Sequence, residues 1–596
     1  MPRERRSASR RRRRAVLAAV AAVCLLVLGA GWVGVRGVQA RTHLAAAATL
    51  LRDLETQLER RDIAAARATL AVLQEEARAA RAATRDPGWL LGARAPLAGG
   101  NLAAVGAVAA IVADLVDQVL QPLVDAAGIV DLKALAPKDG ALDVAQLGKA
   151  APNLTEAHAA AMRAKERASA IPVDGLLPQL RSALGDLDRG LRRIVALTGT
   201  AARAAELLPP MLGATGPRTY LVLFQNPAEL RATGGIPGAF AVVRAEGGRL
   251  RLVDEGTAAA DLGIFARPVL PLSPAMLGLY TERPGIFPAN VNLTPHFPTA
   301  AGLAREMYRR RTGVTVDGVV ATDPVALSYL LAATGPLRMP SGPPLSAANA
   351  VRLLLVDAYA ATHSEDEYHA AAARAAFAAL TNGVPDPAAA LAALARAAGE
   401  RRLLVWSAHP AEQRAVAGTV LEGAMPVQDG ARPTVGVFLN DGTGAKLGYY
   451  LSGEAQLDVT GCLPDGRREL RLRVTLRSAA PTTGLPKDVL GLKLAGEPYA
   501  ARTNVMIFSP AGGAVLGAWL DGTPAPLGTG TERRRAVGVL TVDLKPGASH
   551  TVEANLLTEP LTAGAAAPVA PQLWVTPGVN PWHTRTGSAH ACRAPR

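Results

Sequence analysis

The chain has 596 residues, several times the length of one domain, and its apolar fraction of 49% excludes a wholly disordered protein. Aromatic residues make up only 4%, so its cores must be built mainly from Ala, Val and Leu. The net charge is +14, but residues 1–14 hold eight Arg against one Glu, which leaves +7 for the other 582 residues. A charge spread so thinly forms no dense basic stripe, and we expect no nucleic-acid binding.

The N-terminus has the pattern of a membrane anchor. A basic tail, residues 1–14, precedes an uncharged apolar stretch at residues 15–35. A helix of that length spans about 31 Å, close to the hydrocarbon core of a bilayer. The positive-inside rule makes the tail cytoplasmic and the bulk of the chain extracytoplasmic. A cleaved signal peptide is the alternative, because Val38-Gln39-Ala40 is an acceptable cleavage site, but the stretch is longer than a signal peptide needs.

Helices are predicted through the membrane-proximal residues 36–212. Leu51, Leu54 and Leu58 share one helical face, and Asp62 is placed to cap a second helix from Ile63 to about Thr84. These two helices would form an antiparallel hairpin. Further helices are expected near 100–126, 143–170 and 175–208, with Pro209-Pro210 ending the last. No second membrane span is predicted, so the expected protein is single-pass.

Residues 213–433 mix strand and helix patterns, which predicts a central mixed α/β domain. Its expected strands are 219–224, 238–244, 250–253, 316–322 and 403–406, and its expected helices are 299–311, 324–333, 346–361, 365–381 and 387–398. Asp323 is placed to cap the helix that starts at Pro324.

From residue 434 the helical pattern is lost. Seven short β-rich runs separated by turn residues predict a C-terminal β-sandwich of immunoglobulin-like architecture over residues 434–596. The runs are 446–452, 455–460, 468–477, 502–508, 515–520, 536–544 and 550–557. The predicted fold class is therefore multidomain α+β, with one N-terminal transmembrane helix, a helical region, a central α/β domain and a β-sandwich.

The cysteines agree with export. Cys24 lies in the predicted span, whereas Cys462 and Cys592 form an even pair in the predicted exported part, where a disulfide is permitted. Two unpaired buried thiols are the alternative. Without a nearby pair of His residues, the cysteines predict no zinc site.

The segment Phe224–Gly235, FQNPAELRATGG, holds the most chemical information and is predicted to connect two strands. Adjacent glycines let a backbone turn tightly and approach another group closely, and N–H groups beside an Arg can cradle an anion such as phosphate. The predicted ligand-binding residues here are Asn226, Glu229, Arg231, Thr233, Gly234 and Gly235. The alternative is a strand connection in which Glu229 and Arg231 pair with each other or with neighbours.

The same segment, with Phe287–Asn290 (FPAN), His296–Pro298 (HFP), residues 316–324 (VDGVVATDP) and Thr334–Pro336 (TGP), resembles domain-of-unknown-function family 4012. Members occur in bacteria, commonly actinobacteria. The resemblance covers roughly residues 60–455, because Lys446–Leu451 fits the late Lys-x-x-Tyr-Tyr-Leu pattern of the family. It implies no activity, since none is established for the family.

The order of elements from 219 to 355 also resembles that of the LytR–CpsA–Psr phosphotransferases, which are membrane-anchored outer-surface enzymes. These enzymes move lipid-pyrophosphate-linked glycopolymers onto peptidoglycan. The resemblance implies that Arg231 contacts pyrophosphate and that Asp261 or Asp254 helps to hold a divalent ion such as Mg²⁺. The Pro-Arg-Asp triplet and the Tyr-Val-Arg run of that family are missing here, so the fold analogy can hold without the chemistry.

One further cluster, His363–His369, holds two His and three acidic residues, so a divalent-ion site is one possible interpretation of it. We interpret it instead as a helix start capped by Ser364, and predict no metal site and no cofactor.

The function expected is a binding or assembly role in the cell envelope, linked to surface polysaccharide. Its expected partners are the cytoplasmic membrane and a cell-wall glycan or lipid-linked polysaccharide. A phosphotransferase acting on polyprenyl-pyrophosphate-linked glycans and a structural scaffold are the alternatives.

Overall fold

The computed structural model describes residues 3–60, 62–96, 98–129, 141–359, 365–381, 383–430, 432–560 and 569–587. The chain is α+β and divides into two compact units. The helical unit holds the described residues up to Ile129 and those from Asp143 to Pro210, and the mixed unit holds residues 141–142 and the chain from Met211 onward. The predicted limit at residue 434 coincides with the first residue of a strand, but the mixed unit is not divided there.

Seven helices are seen in the described part of the helical unit. They are α1 (Arg3–Glu59), α2 (Ile63–Thr84), α3 (Pro87–Gly92), α4 (Gly99–Leu115), α5 (Gln121–Ile129), α6 (Val144–Ser169) and α7 (Pro178–Met211). A π-helical turn, Val116–Leu120, joins α4 to α5. The last helix continues through Pro209 and Pro210 to Met211, three residues beyond the predicted end near 208, so these prolines lie inside its final turn.

Helix α1 runs without interruption through the predicted span. Eight of its large apolar side chains between residues 20 and 38 are mainly exposed: Val20, Val23, Leu25, Val27, Leu28, Trp32, Val35 and Val38 are each at least 49% exposed. The stretch Val23–Leu58 is long and apolar enough to cross a bilayer. An N-terminal apolar helix that can serve as a membrane anchor is therefore present.

The helical hairpin forms as predicted, except that Leu51 is not on its buried face. Asp62 caps α2 by accepting from the Ala65 N–H at 3.0 Å. Leu54 is buried against Leu70 and Leu73 of α2. Leu51 was expected on this face but is exposed, because the buried face of α1 runs through Leu50, Leu54 and Leu58 at steps of four residues.

A second stretch, Gly99–Ile129, also passes the length and apolarity test for a membrane span among the described residues. Its side chains Ile111, Leu115 and Val119 pack with α6 and α7. Asp114, in the middle of the stretch, pairs with Arg81 of α2 at 2.6 Å and Arg167 of α6 at 2.5 Å. A buried apolar face and a paired charge are typical of a core helix.

The mixed unit has strands and helices in alternation, followed by a β-rich part. Its strands are β1 (Arg218–Arg231), β2 (Gly234–Glu246), β3 (Arg249–Thr257), β4 (Gly318–Thr322), β5 (Leu404–Ser407), β6 (Thr434–Asp441), β7 (Leu451–Cys462), β8 (Arg468–Ser478), β9 (Ala501–Phe508), β10 (Ala514–Leu520), β11 (Thr523–Ala525), β12 (Gly528–Glu532), β13 (Arg535–Leu544), β14 (Ser549–Leu557), β15 (Gln572–Val575) and β16 (His583–Thr586). Its helices are α8 (Pro274–Tyr280), α9 (Arg283–Ile286), α10 (Phe297–Thr312), α11 (Pro324–Thr334), α12 (Ala350–Leu355), α13 (Glu365–Thr381), α14 (Pro387–Gly399), α15 (Pro410–Val416) and α16 (Lys487–Leu490).

The first sheet has the order β3-β2-β1-β4-β5 and is mixed, with β1 parallel to β4 and the other pairs antiparallel. Helix α10 packs Phe297, Leu303 and Met307 onto the apolar residues of β1, β2 and β4. Asp323 caps α11 through the Ala326 N–H at 2.7 Å, as the sequence predicts.

Two further mixed sheets follow, with the orders β11-β10-β14-β8-β7-β16 and β12-β13-β9-β6-β15. One hydrophobic cluster draws residues from both sheets, among them Val437 of β6 and Leu472 of β8. The predicted run 446–452 is mostly a 3₁₀ turn, Leu447–Tyr450, and strand pairing begins only at Leu451. Strands β6, β11, β12, β15 and β16 were not predicted.

Two predictions, the disulfide and the interpretation of the His363–His369 cluster, involve residues outside the described part of the chain. Cys592 lies there, so the disulfide with Cys462 stays a prediction. His363 and Ser364 lie there too, and α13 begins at the next residue, Glu365.

Candidate functional site

The segment Phe224–Gly235 lies within a β-hairpin rather than between two separate strands. Strand β1 continues to Arg231 and β2 starts at Gly234, with the register shifting between Asn226 and Leu230. The sequence predicted a connection here because Pro227 and the polar residues around it are typical of loops. In the structure, a β-bulge between Asn226 and Leu230 accommodates these residues inside β1. The paired glycines act as predicted: Gly234 has φ +142°, and a Cβ on Gly235 would lie 1.9 Å from the Asn226 carbonyl oxygen.

A buried amide network closes the hairpin. Thr233 Oγ1 donates to Gln225 Oε1 at 2.9 Å. Asn292 Nδ2 reaches the same oxygen at 3.2 Å and the Gly235 carbonyl at 2.7 Å. Because Gln225, Thr233 and Asn292 are all buried, these bonds replace contacts with water and fix the hairpin to the Asn292 segment.

Arg231 lies at the end of β1 and is held mainly by an amide. Its Nε and Nη2 donate to Asn290 Oδ1 at 3.2 and 3.0 Å, and its Nη1 donates to the Leu230 carbonyl at 2.8 Å. Burial lowers the pKa of Arg231, while the charges of Asp441 and Glu229 oppose that shift. The guanidinium therefore sits near two carboxylates but bonds directly to neither.

Glu229 has its own cation. Its Oε1 is 3.1 Å from Lys446 Nζ, and both side chains are nearly buried. The same Lys446 nitrogen lies 4.4 Å from the centre of the Tyr359 ring, whose hydroxyl accepts from Asn226 Nδ2 at 3.0 Å. The ion pair, the cation–π contact and the amide bond thus join the hairpin to two later parts of the chain.

The turn of the hairpin is tied to the β-rich part through its backbone. The Ala232 N–H donates to Asn440 Oδ1 at 3.1 Å, and the Ala232 carbonyl accepts from Thr576 Oγ1 at 3.1 Å. Asp441, next to Asn440, accepts from Thr443 Oγ1 at 2.7 Å, and burial raises its pKa. We call Asn226, Glu229, Arg231, Thr233, Gly234 and Gly235, with their partners Asn290, Asn292, Tyr359, Asn440, Asp441 and Lys446, the hairpin cluster.

The arrangement is suited to joining segments. Each polar side chain among the predicted site residues has a protein partner, which is the pattern of the strand-connection alternative. A small hollow with a cavity volume of about 10 Å³ lies beside Leu230 and is lined by Leu451, Asn580 and Trp582 among others. Arg231 does not line this hollow.

Asp254 belongs to the first sheet, whereas Asp261 lies in the π-helical turn Ala258–Leu262 that follows β3. Asp254 on β3 accepts from the Tyr308 hydroxyl at 2.8 Å, and burial together with this bond raises the pKa of Tyr308 to about 12. Asp261 Oδ2 accepts from the Thr257 N–H at 2.6 Å. Neither of these hydrogen bonds involves Arg231, whose own side-chain partners are Asn290 and the Leu230 carbonyl. Among the described residues, no group of three or more His, Cys, Asp or Glu side chains is placed to hold a metal ion.

Sequence reasoning did not select Asn290 or Lys446 as site residues, although both lie in the quoted family motifs FPAN and KLGYYL. Their spacing from Arg231 and Glu229 gives no local pattern, since the pairs are joined only by the fold. The one available signal was that Asn290 and Lys446, like Arg231 and Glu229, lie in motifs of the resembled family. The structure brings these motifs together.

The comparison with known families identifies part of the chain. Residues 215–359 match the model of DUF4012, described as a protein of unknown function, so the chain carries a domain of this family. The match covers β1 to Tyr359 and therefore includes the hairpin, Asn290 and Asn292. No curated protein and no solved structure matches the chain.

Proposed function

We propose that this chain, with its DUF4012 domain, is a single-pass, membrane-anchored protein of the cell envelope whose bulk lies outside the cytoplasmic membrane. The observation that carries the proposal is the set of large apolar side chains of α1 between Val20 and Val38 that are each at least 49% exposed. Eight Arg in the preceding tail support a cytoplasmic N-terminus. An actinobacterial source and a disulfide between Cys462 and Cys592 belong to the same proposal.

The role that fits the mixed unit best is binding or assembly, linked to surface polysaccharide. The link to polysaccharide rests on the resemblance to the LytR–CpsA–Psr proteins alone. The hairpin cluster supports a binding or assembly role over phosphotransfer, because its charges are bonded to one another and to amides. In this proposal the cluster is a junction that holds the hairpin of the first sheet against the β-rich part.

The β-rich part, residues 434–596, is proposed to be a β-sandwich. The single hydrophobic cluster shared by its two sheets supports this layout, since apolar faces of stacked sheets form a common core. The central domain of residues 213–433 then supplies the first sheet, and residues 36–212 supply the helical region.

Binding by the full chain in lipid nanodiscs tests this function. The ligands are purified cell-wall polysaccharide and, separately, a polyprenyl pyrophosphate with and without Mg²⁺. Wild type is compared with Arg231→Ala and with Arg244→Ala, a change at a more exposed Arg on β2. Circular dichroism establishes that each variant is folded before binding is measured.

The proposed role predicts polysaccharide binding that needs no Mg²⁺ and that persists in folded Arg231→Ala. The phosphotransferase alternative predicts micromolar binding of the polyprenyl pyrophosphate, weakened tenfold or more by Arg231→Ala but not by Arg244→Ala, a change of about 1.4 kcal/mol. That second pattern, or the absence of any polysaccharide binding, would overturn the proposed role.

A further inference from the structure

The short helix α3 is fastened to the end of the predicted membrane span. Asp86, which caps α3, accepts from Trp32 Nε1 at 2.8 Å and pairs with Arg36 at 3.3 Å. The hydrogen bond from Trp32 is the largest of the influences that lower the pKa of Asp86. Asp86 is therefore a charged partner for both Trp32 and Arg36, and these contacts hold α3 beside this part of α1.

Close backbone packing strengthens this attachment. A Cβ on Gly88 would lie 2.8 Å from Trp32 Cδ1, and one on Gly92 would lie 3.5 Å from Val33 Cγ2. Both glycines of α3 thus lie directly against α1. Trp89, between them, is buried and donates to the Leu102 carbonyl at 3.1 Å. The backbone of α3 has little freedom to move away from the span.

The next two residues point outward. Leu90 is 50% exposed and Leu91 is 72% exposed, although both belong to a helix that is otherwise well anchored. Arg85 and Arg94 flank the pair in sequence and are also exposed. An apolar tip between two cations is the pattern of a segment that meets lipid, with leucines toward the acyl chains and Arg side chains toward phosphates.

The position along α1 agrees with such a contact. Trp32 lies seventeen residues after Ala15, the first uncharged residue of the span, which is about 26 Å along a helix. A hydrocarbon core of about 30 Å places that Trp near the far interface, where Trp side chains are enriched. Residues held against Trp32 and Val33 share this depth.

We propose that α3 is a second membrane contact, in which Leu90 and Leu91 enter the outer leaflet beside the span. The inference rests on the proposed membrane anchor and adds a lipid-binding surface to it. The contact fixes how the base of the helical unit meets the membrane, because a single helix alone leaves a unit free to tilt.

Depth measurement with brominated lipids tests the inference in the full chain. Single cysteines replace Leu91, Val27 in the span and Leu197 on α7, each in a Cys24→Ala background, and carry a bimane dye. Leu197 is the matched control, since it is a Leu with a similar exposure of 60% and lies away from α3. The Cys24→Ala parent measures any labelling at the remaining cysteines. Nanodiscs contain anionic lipid, with and without brominated acyl chains.

We expect brominated lipid to quench the dye at positions 27 and 91 at least twofold more than at 197. Quenching at 27 but not at 91 overturns the inference and leaves the anchor intact. The absence of quenching at 27 overturns the anchor itself. A dye at 91 that is shielded from both brominated lipid and aqueous iodide would mean that a protein covers the tip, and would also overturn a lipid contact.

Discussion

His296 starts α10 with its own side chain. The ring Nδ1 lies 3.3 Å from the Thr299 N–H and 2.7 Å from Thr299 Oγ1, so the imidazole acts as an N-cap. Burial, assisted by the charge of Arg533, lowers the pKa of His296 to about 3. The folded chain therefore holds a neutral His at pH values where the unfolded chain holds a charged one.

Acid should consequently weaken this region. Below pH 6.5 the unfolded state binds a proton at His296, whereas the folded state binds it only near pH 3. The free energy of unfolding therefore falls as the pH falls through that window. Between pH 7 and pH 5 the loss due to this one group is about 2 kcal/mol. Hydrogen exchange of the α10 amides at both pH values, corrected for intrinsic rates, measures it.

The matched variant is His296→Asn, because Asn also caps helices well but does not titrate. The opening free energy of α10 should depend less on pH in this variant by the same amount. Equal pH dependence in wild type and variant would show that His296 is charged in the folded protein, contrary to its burial.

Sequence patterns predicted residues whose role is local and missed those whose partners are distant. Asp62 and Asp323 were identified as caps because the helix they start follows directly. Arg402 was not noticed, although it is buried and donates to Asp323 Oδ2 at 2.7 Å and to the Gly578 carbonyl at 2.7 Å. Its partners lie 79 and 176 residues away, and no spacing rule links them.

The β1–β2 hairpin depends on one glycine for its shape. A Cβ at Gly235 would meet the Asn226 carbonyl oxygen at 1.9 Å and its carbon at 2.0 Å, and both atoms belong to the backbone. Gly235→Ala must therefore displace the bulge and is expected to cost about 3 kcal/mol. Thermal unfolding of the full chain in detergent should show a lower midpoint for the mixed unit.

Gly238→Ala on the same strand is the control, because a Cβ there meets nothing within 4 Å. It should unfold at or slightly above the wild-type midpoint, since Ala is less costly to order than Gly. If both variants unfold like wild type, the close approach at Gly235 does not shape the hairpin.

Several longer helices and strands were predicted with accurate limits, whereas four short edge strands of the β-rich part were missed. The helices α2, α13 and α14 and the strands β8, β9 and β14 lie within a residue or two of their predicted limits. Strands β15 and β16 are four residues each and form single parallel pairings at sheet edges, so they have little alternation to recognise. The two short edge strands β11 and β12 were missed for the same reason.

Strand β16 is the last strand described before Cys592. Thr586 lies opposite Leu457 in a parallel register. Cys462 follows Leu457 by five residues and Cys592 follows Thr586 by six. Cys592 lies outside the described residues, so a bridge between these cysteines remains a prediction.

At the scale of the whole molecule, the sequence indicated an apolar N-terminal helix, a helical region and an α+β remainder, and each is present. The sequence did not predict that the family motifs form one cluster, because the contributing residues are spread from β1 to the segment after β6 and only the fold brings them together. The central proposal is that α1 anchors the chain with its bulk outside the membrane: the exposed apolar side chains of α1 support the anchor, and the charge asymmetry at the span supports the orientation.

Thiol labelling in intact bacterial cells tests that claim most directly. A cysteine replaces either Ser7 in the basic tail or Leu492, which is 74% exposed in the mixed unit, in full-length chains that carry Cys24→Ala, and the Cys24→Ala parent measures labelling at Cys462 and Cys592. A membrane-impermeant maleimide should label position 492 in intact cells and position 7 only after permeabilisation, with all the protein in the membrane fraction. Labelling of position 7 in intact cells, protection of position 492, or release of the chain into the soluble fraction would contradict a membrane-anchored, extracytoplasmic protein.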